Sequence, residues 1–209
     1  MWATNFSRVP QRRRPPSRQA GSTAIEFALL ALVFFIFVFG ILEVARLLFV
    51  FNTLQEVTRR AAAAAVNVYP NDTNAIAQLK RTAIFRNTPG ELVLASPVTD
   101  QHVHLDYLTI DLSVIPPSSW PENAAANKQT CLLDPHASNC IRFVQARICV
   151  PGNANRCDVV TSRMLIPIIN AQIPLHRATT IATVETLGYI PGTPPPVAPP
   201  PSPPCPCSH

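Results

Sequence analysis

The chain has 209 residues, a formal net charge of +5 and an apolar content of 47%, which allows one modest domain with appendages. The basic residues within positions 1–20 stand directly before an apolar run, as is typical of a membrane-orientation signal. No basic and aromatic pattern recurs later, so we predict no nucleic-acid partner. The six cysteines are an even number and all follow the apolar run, which favours disulfides in an oxidising compartment.

The first predicted element is a membrane helix. Residues 27–42 carry no charge, and the apolar sequence extends over residues 24–51 with Glu43 and Arg46 as interruptions. As a helix, residues 24–51 would be about 42 Å long at roughly 1.5 Å per residue, longer than the ~30 Å core of a bilayer. A cleavable secretory signal has a shorter apolar core followed by a small-residue site, and none is evident here. The helix is therefore predicted to stay in the protein.

An acidic residue stands at the start of this helix. Glu26 follows Gly21 by five positions, and a carboxylate at such a depth in a membrane usually has a partner. Cleavage after Gly21 would give Ser22 a free α-amino group. The amino terminus of a neighbouring subunit would then neutralise Glu26 when the helices pack side by side. The alternative is a plain signal anchor, in which the helix dipole stabilises Glu26 near the helix N-terminus.

These residues resemble a known pattern. A glycine followed by four residues and a glutamate, at the start of an apolar helix, is similar to the processing site of type IV prepilins. The fuller set looks like the TadE-like family of tight-adherence (Flp-type) pilus assembly: the string Gly21 to Leu29, then Gly40-Ile41-Leu42-Glu43 with Arg46, then Asn52 to Glu56 with Arg59 and the alanines 61–65. The likeness covers roughly residues 20–66.

The resemblance implies cleavage by a prepilin peptidase between Gly21 and Ser22, a pseudopilin-like role with other pilus-assembly subunits, and no enzymatic activity. The protein is then expected to cross the inner membrane once, with its N-terminus cytoplasmic and its C-terminal head periplasmic. No cofactor and no small-molecule substrate is expected. The rival interpretation is a periplasmic enzyme or binding domain on an uncleaved signal anchor, although no catalytic motif stands out.

The two charged residues inside the apolar sequence form a stem pair by their spacing. Glu43 and Arg46 are three residues apart, hence on one helix face, and can pair. One interpretation is a pair that snorkels at the outer boundary between membrane and water. The other is a contact with another pilus component, and the two interpretations are compatible.

The exported part, residues 70–190, is predicted to be a small α+β head. Pro70 begins a stop signal, so the first helix is predicted to run from Thr23 to near Val68 and a second from Thr73 to Arg86. Residues 116–140 are predicted to be a loop. Four strands are indicated by β-branched residues and partial alternation: Val103–Ile115, Ile141–Val150, Val159–Ile169 and Thr179–Leu187.

The cysteines of the head predict two local disulfides. Cys131 and Cys140 flank one turn-rich loop, and Cys149 and Cys157 flank another. Proximity favours these two pairs among the three pairings that four cysteines allow, and each would add about 2–4 kcal/mol. A zinc site of Cys131, His136 and Cys140 is the alternative, but its spacing fits no common zinc pattern.

Two histidines are candidate metal ligands as well. His102 and His104 flank Val103 and are predicted to share a strand face, but the sequence places no third ligand beside them. A solvated strand face is therefore preferred, and no metal is predicted.

The chain ends in a proline-rich tail, residues 191–209, which is predicted to be disordered, extended and unpacked. Cys205 and Cys207 near its end could bind a soft metal or form intermolecular disulfides. The alternative is that this end of the chain is dispensable low-complexity sequence. The predicted organisation is a leader (1–21), a transmembrane and extended helix (22–69), the α+β head (70–190) and this tail.

Overall fold

The structure is a computed structural model, and it describes residues 22–152, 157–164, 172–175, 177–184 and 186–192. The leader with Gly21 and most of the tail, including Cys205 and Cys207, lie outside the described residues. Within them the predicted fold class is confirmed: a long apolar helix is followed by a small α+β region with two disulfides. The chain divides into two compact units, Met1–Leu42 and Glu43–His209.

Helix α1 spans Ser22–Ala65, close to its predicted bounds. Residues 23–42 of α1 belong to the first unit of the chain. Nearly all large apolar side chains in this part of the helix are more than half exposed. Its most apolar stretch has a mean hydropathy of 2.8, so by length and composition α1 is able to cross a membrane. A helix that is apolar on every side suits a lipid environment better than water.

The C-terminal part of α1 belongs to the core of the second unit. One face of the helix is buried there, at intervals of three and four residues: Val50, Leu54, Val57, Ala61 and Ala65. This is the pattern of a helix that packs one side against a core. The same hydrophobic core includes the later residues Val103, Val144 and Ala146, so α1 is a structural element of the α+β region.

Helix α2 spans Thr73–Ala83. It begins where predicted, because the carboxylate of Asp72 accepts a hydrogen bond from the Ala75 N–H (2.9 Å) and caps the helix. It ends three residues earlier than predicted. Phe85 has a φ of 61°, a left-handed conformation that cannot continue an α-helix.

Three strands form an antiparallel sheet in the order β1-β2-β5, where β1 is Val103–Leu108, β2 is Phe143–Ile148 and β5 is Thr179–Thr183. Leu105 lies opposite Ala146, which lies opposite Thr180. A separate two-stranded sheet pairs β3 (Thr161–Arg163) with β4 (Gln172–Pro174), and β4 was not predicted. The C-terminal part of α1 meets β5 through a hydrogen bond between the hydroxyls of Thr58 and Thr180 (3.0 Å).

The strand predicted from Val103 to Ile115 is shorter in the structure. It ends at Leu108 because the chain turns: the Thr109 N–H donates to the Ser113 carbonyl (3.0 Å), and the Thr109 hydroxyl accepts from the Ser113 N–H (3.2 Å). The prediction from the high β-branched content of this stretch was therefore too long for the strand.

The segment 116–140, predicted to be a loop, contains helix α3, Ala124–Leu133. Its N-terminus is capped by Asn123, whose side chain accepts from the Ala126 N–H (2.9 Å). Asparagine is a favoured residue at this position and a run of alanines follows it, so the helix signal was present in the sequence and was missed.

Both local disulfides are formed. Cys131, in the last turn of α3, is bonded to Cys140, and Cys149, directly after β2, is bonded to Cys157. The sulfurs of Cys131 and Cys140 are consequently not available as thiolate ligands for the zinc alternative. Each bridge closes a loop next to a regular element of the second unit.

We expect Leu54→Ala to lower the free energy of unfolding of the second unit by about 2–5 kcal/mol, because the side chain is 1% exposed and its loss leaves a cavity. Thermal unfolding of the detergent-solubilised protein, followed by circular dichroism, measures the loss. Leu48→Ala is the matched control on the same helix: its side chain is 58% exposed, and the change should stay within about 0.5 kcal/mol. Equal losses in both variants would contradict this packing.

Candidate functional site

The two charges in the apolar sequence of α1 are buried. Glu43 and Arg46 belong to the second unit and are 8% and 9% exposed. The Nε and Nη2 groups of Arg46 donate to Oε1 of Glu43 at 3.0 and 2.6 Å. Long helical side chains lean toward the helix N-terminus, which brings the guanidinium over the turn that carries Glu43.

The same guanidinium also holds two backbone segments from elsewhere in the chain. Nη1 donates to the Leu94 carbonyl at 2.8 Å, and Nη2 donates to the Arg163 carbonyl at 2.9 Å. Ser162 lies beside them, with its hydroxyl 3.4 Å from Nη2. We call Glu43, Arg46, Leu94, Ser162 and Arg163 the Arg46 node. It joins α1 to the loop before β1 and to the end of β3.

Arginine suits this position because its planar guanidinium presents five N–H donors in a fixed arrangement. Lysine offers a point charge and would not reach the same acceptors together. The spacing of Glu43 and Arg46 indicated the pair, but its partners at Leu94 and Arg163 are 48 and 117 residues away in sequence. No local pattern carries that information.

A second charged cluster lies on the sheet. Asp106 of β1 is 6% exposed in its side chain and contacts Nε2 of His104 (3.1 Å) and the guanidinium of Arg147 on β2. Burial by itself would raise the pKa of Asp106. The hydrogen bond and charge of His104 and the charge of Arg147 outweigh burial, so the pKa of Asp106 lies below its ordinary value.

The histidines do not share a strand face. His102 ends a 3₁₀ turn, Asp100–His102, just before β1, and its Nδ1 accepts a hydrogen bond from the Thr99 N–H at 3.0 Å. Burial lowers the pKa of His102. Among the residues that the structure describes, no three His, Cys, Asp or Glu side chains are grouped to hold a metal ion.

The residues of the predicted processing site are only partly described. Ser22 is the first residue of α1, and Gly21 lies outside the described part. Glu26 lies in the second turn of α1 and is exposed. Cleavage after Gly21, and neutralisation of Glu26 by a neighbouring amino terminus, stay predictions.

The comparison with known families falls on this same helix. Residues 21–63 match the family model described as TadE-like protein. The match begins at the predicted processing position and covers all but the last two residues of α1, including Glu26, Glu43 and Arg46. It confirms the resemblance over that part of the chain. No curated protein and no solved structure matched the chain.

An open polar groove lies beside α1 in the second unit. It has a volume of about 470 Å³ and brings together Arg59, Arg177 and the hydroxyl-bearing residues of β5. Its carboxylate, Glu56, is held by Arg60 at 2.8 Å. The residues that line this groove include no cysteine or histidine to serve as a nucleophile or a general base, and the family matched is a family of pilus components.

We expect Arg46→Met to destabilise the second unit by about 3–5 kcal/mol, because it leaves the Glu43 carboxylate buried without its cationic partner. Chemical unfolding measures the loss. Arg60→Met is the matched control: Arg60 pairs with Glu56 on the same helix and lies 4.2 Å from the centre of the Phe85 ring. Both side chains of the pair are more than 40% exposed, so the loss should stay below about 2 kcal/mol. The Arg46 node would be rejected if both variants lost the same stability.

Acid stability should report on Asp106. Its pKa is lower in the folded protein than its ordinary value of 3.8, so the unfolded chain binds more protons in the window between the two values. The stabilisation is therefore complete above pH ~4 and is lost as the pH falls through the lowered pKa. Urea unfolding from pH 7 to pH 2 should show Asp106→Asn less stable than wild type at neutral pH, with the two converging in acid. Asp111→Asn, at an exposed turn, is the control and should stay within about 0.5 kcal/mol of wild type at neutral pH.

Proposed function

We propose that the protein is a membrane-anchored minor pilin or pilus-assembly protein of a tight-adherence (Flp-type) pilus, and that it acts by helix association and not by catalysis. The observation that carries this proposal is the match of residues 21–63 to the TadE-like family. The matched stretch coincides with the helix whose first part exposes apolar side chains on all sides. The matched part of the chain thus contains the proposed anchor.

The proposed location is the inner membrane, with the N-terminus cytoplasmic and the residues after α1 periplasmic. Two independent features support this orientation. The basic residues within positions 1–20 precede the apolar sequence, and such residues favour the cytoplasmic side. The two disulfides lie after the helix, and disulfides persist in an oxidising compartment such as the periplasm.

Helix association in lipid sets the proposed mechanism. Apolar side chains such as those of α1 gain little from each other that lipid does not also offer, so close packing and polar contacts decide which helices associate. A prepilin peptidase that cuts after Gly21 would expose the α-amino group of Ser22. That group on one subunit would pair with Glu26 of the next and set the register between their helices.

Processing is tested by the intact mass of the membrane-extracted protein, made with and without the cognate prepilin peptidase. We expect the mature protein to begin at Ser22 only when the peptidase is present. Gly21→Val should block cleavage, while Gly40→Ala, inside the same helix, should leave it unchanged. A mature chain that keeps residues 1–21 under both conditions would favour a signal-anchored periplasmic domain instead.

Assembly is tested with Glu26→Ala, which should leave membrane insertion intact and reduce pilus formation. Polar contacts between membrane helices contribute about 1–2 kcal/mol, so the association of each subunit should weaken on the order of tenfold. Pilus number per cell is counted by electron microscopy, and the intact mass of the same sample shows whether processing is normal. Glu56→Ala, on the same helix after the apolar sequence, is the control. Normal pilus formation by Glu26→Ala would refute the mechanism.

A further inference from the structure

The turn next to the Arg46 node exposes two large apolar side chains. Val93 is 65% exposed and Leu94 is 53% exposed, while Leu92 and Ala95 on either side are buried. The Ala95 N–H donates to the Leu92 carbonyl at 3.1 Å and closes the turn. The tip is therefore held in place from both sides, with its apolar side chains turned outward.

The position of this turn along α1 follows from one hydrogen bond. The Leu94 carbonyl accepts from Nη1 of Arg46, and Arg46 leans toward Glu43, one turn earlier in the helix. The turn consequently lies at the level of residues 43–46. The helix is still apolar on its outer side here, as the exposed side chains show: Val44 is 57%, Leu48 is 58% and Phe49 is 48% exposed.

The length of the charge-free sequence places the membrane boundary at the same level. Residues 27–42 are about 24 Å long as a helix at ~1.5 Å per residue, whereas the hydrocarbon core is about 30 Å thick. The missing ~6 Å corresponds to roughly four residues. Residues 24–26 at the other end of the stretch supply up to three of them, so the boundary lies between Glu43 and Arg46. Both charges are tolerated at such a depth because they pair with each other and are enclosed by protein.

We propose that Val93 and Leu94 insert into the interfacial layer of the bilayer, so that the second unit binds a lipid surface in addition to being anchored by α1. This inference rests on the proposed membrane anchor and adds a lipid contact made by the α+β region itself. The sequence after Arg163, residues 164–169, is also apolar and uncharged. Residues 165–171 lie outside the described part, and the proposed surface does not include them.

The chain contains a matched control for Leu94. Leu112 is the same residue type, has the same φ of 60° and is also 53% exposed. It follows β1, whereas Leu94 precedes it, and six strand residues rise about 20 Å. The values of φ and of the exposed fraction are therefore equal at the two positions, which differ in their place relative to the Arg46 node.

The test uses tryptophan fluorescence of the full-length protein in vesicles of phosphatidylcholine and phosphatidylglycerol, with bromine atoms near the top of the acyl chains. Leu94→Trp and Val93→Trp are compared with Leu112→Trp, each in a Trp2→Phe background whose Trp120 emission is subtracted. Val93→Trp keeps the test informative if position 94 does not accept the larger side chain. Phe35→Trp lies in the apolar first unit, about 15 Å from residues 43–46 along α1 and hence near the middle of a ~30 Å core. It reports separately whether α1 is inserted, in vesicles whose lipids carry bromine near the ends of the acyl chains.

Apolar groups at an interface lie about 5–10 Å into the boundary between headgroups and acyl chains, within reach of these bromines. We expect tryptophan at 93 and 94 to emit at shorter wavelength and to lose most of its emission in brominated vesicles, while tryptophan at 112 is quenched by aqueous iodide. If positions 93, 94 and 112 behave alike while position 35 is quenched by bromine, the lipid contact is wrong and the anchor stands.

A protein partner at the turn gives a different result. Tryptophan at 94 would then emit at shorter wavelength without bromine quenching, and its emission would depend on the ratio of protein to lipid. That outcome would overturn the lipid contact. If position 35 is not quenched by bromine, the membrane anchor itself fails, and with it the proposed function.

Discussion

The guanidinium of Arg46 is the group on which the arrangement of the second unit depends. A buried arginine needs an acceptor for its donors and a counter-charge for its cation, since unpaired burial is far more costly than exposure. Glu43 supplies the counter-charge from the same helix, and the carbonyls of Leu94 and Arg163 supply acceptors from two other segments. A buried ion pair adds little net stability over an apolar pair of equal volume. We therefore interpret this one as a device that specifies where those segments meet α1.

Helix α1 serves two environments with two sequence patterns. Before Glu43 its apolar side chains point in every direction and are exposed. From Asn52 onward its buried residues lie on one face, while polar residues such as Gln55 and Arg59 occupy the other. The change in pattern marks the passage from a segment suited to lipid to a segment suited to a protein core. Residues 21–63, the part that matches the TadE-like family, include both patterns.

The remainder of the second unit is a small fold that combines a modest core with two covalent bridges. The core joins buried residues of α1, α2, β1 and β2, and each disulfide is expected to add about 2–4 kcal/mol to its stability. Cys131–Cys140 joins the last turn of α3 to the segment before β2, and Cys149–Cys157 lies just beyond β2. The central strand is thus flanked by a bridge at each end.

Local sequence patterns were sufficient to predict those structural elements whose formation depends on neighbouring residues. Apolar length predicted α1, helical spacing after the stop signal at Pro70 predicted α2, and the short separation of the cysteines favoured the pairs that form. The alanine-rich helix α3 carried a readable capping signal at Asn123 that the loop-like sequence around it obscured. The early end of β1 depends on a turn at Thr109 that β-branched residues do not exclude.

For the candidate site, the sequence indicated Glu43 and Arg46 as a pair because three residues is a helical spacing. Only the tertiary structure decided that this pair is buried and that Arg46 reaches Leu94 and Arg163, because hydrogen bonds to backbone carbonyls depend on where distant segments pack and not on which side chains those segments carry.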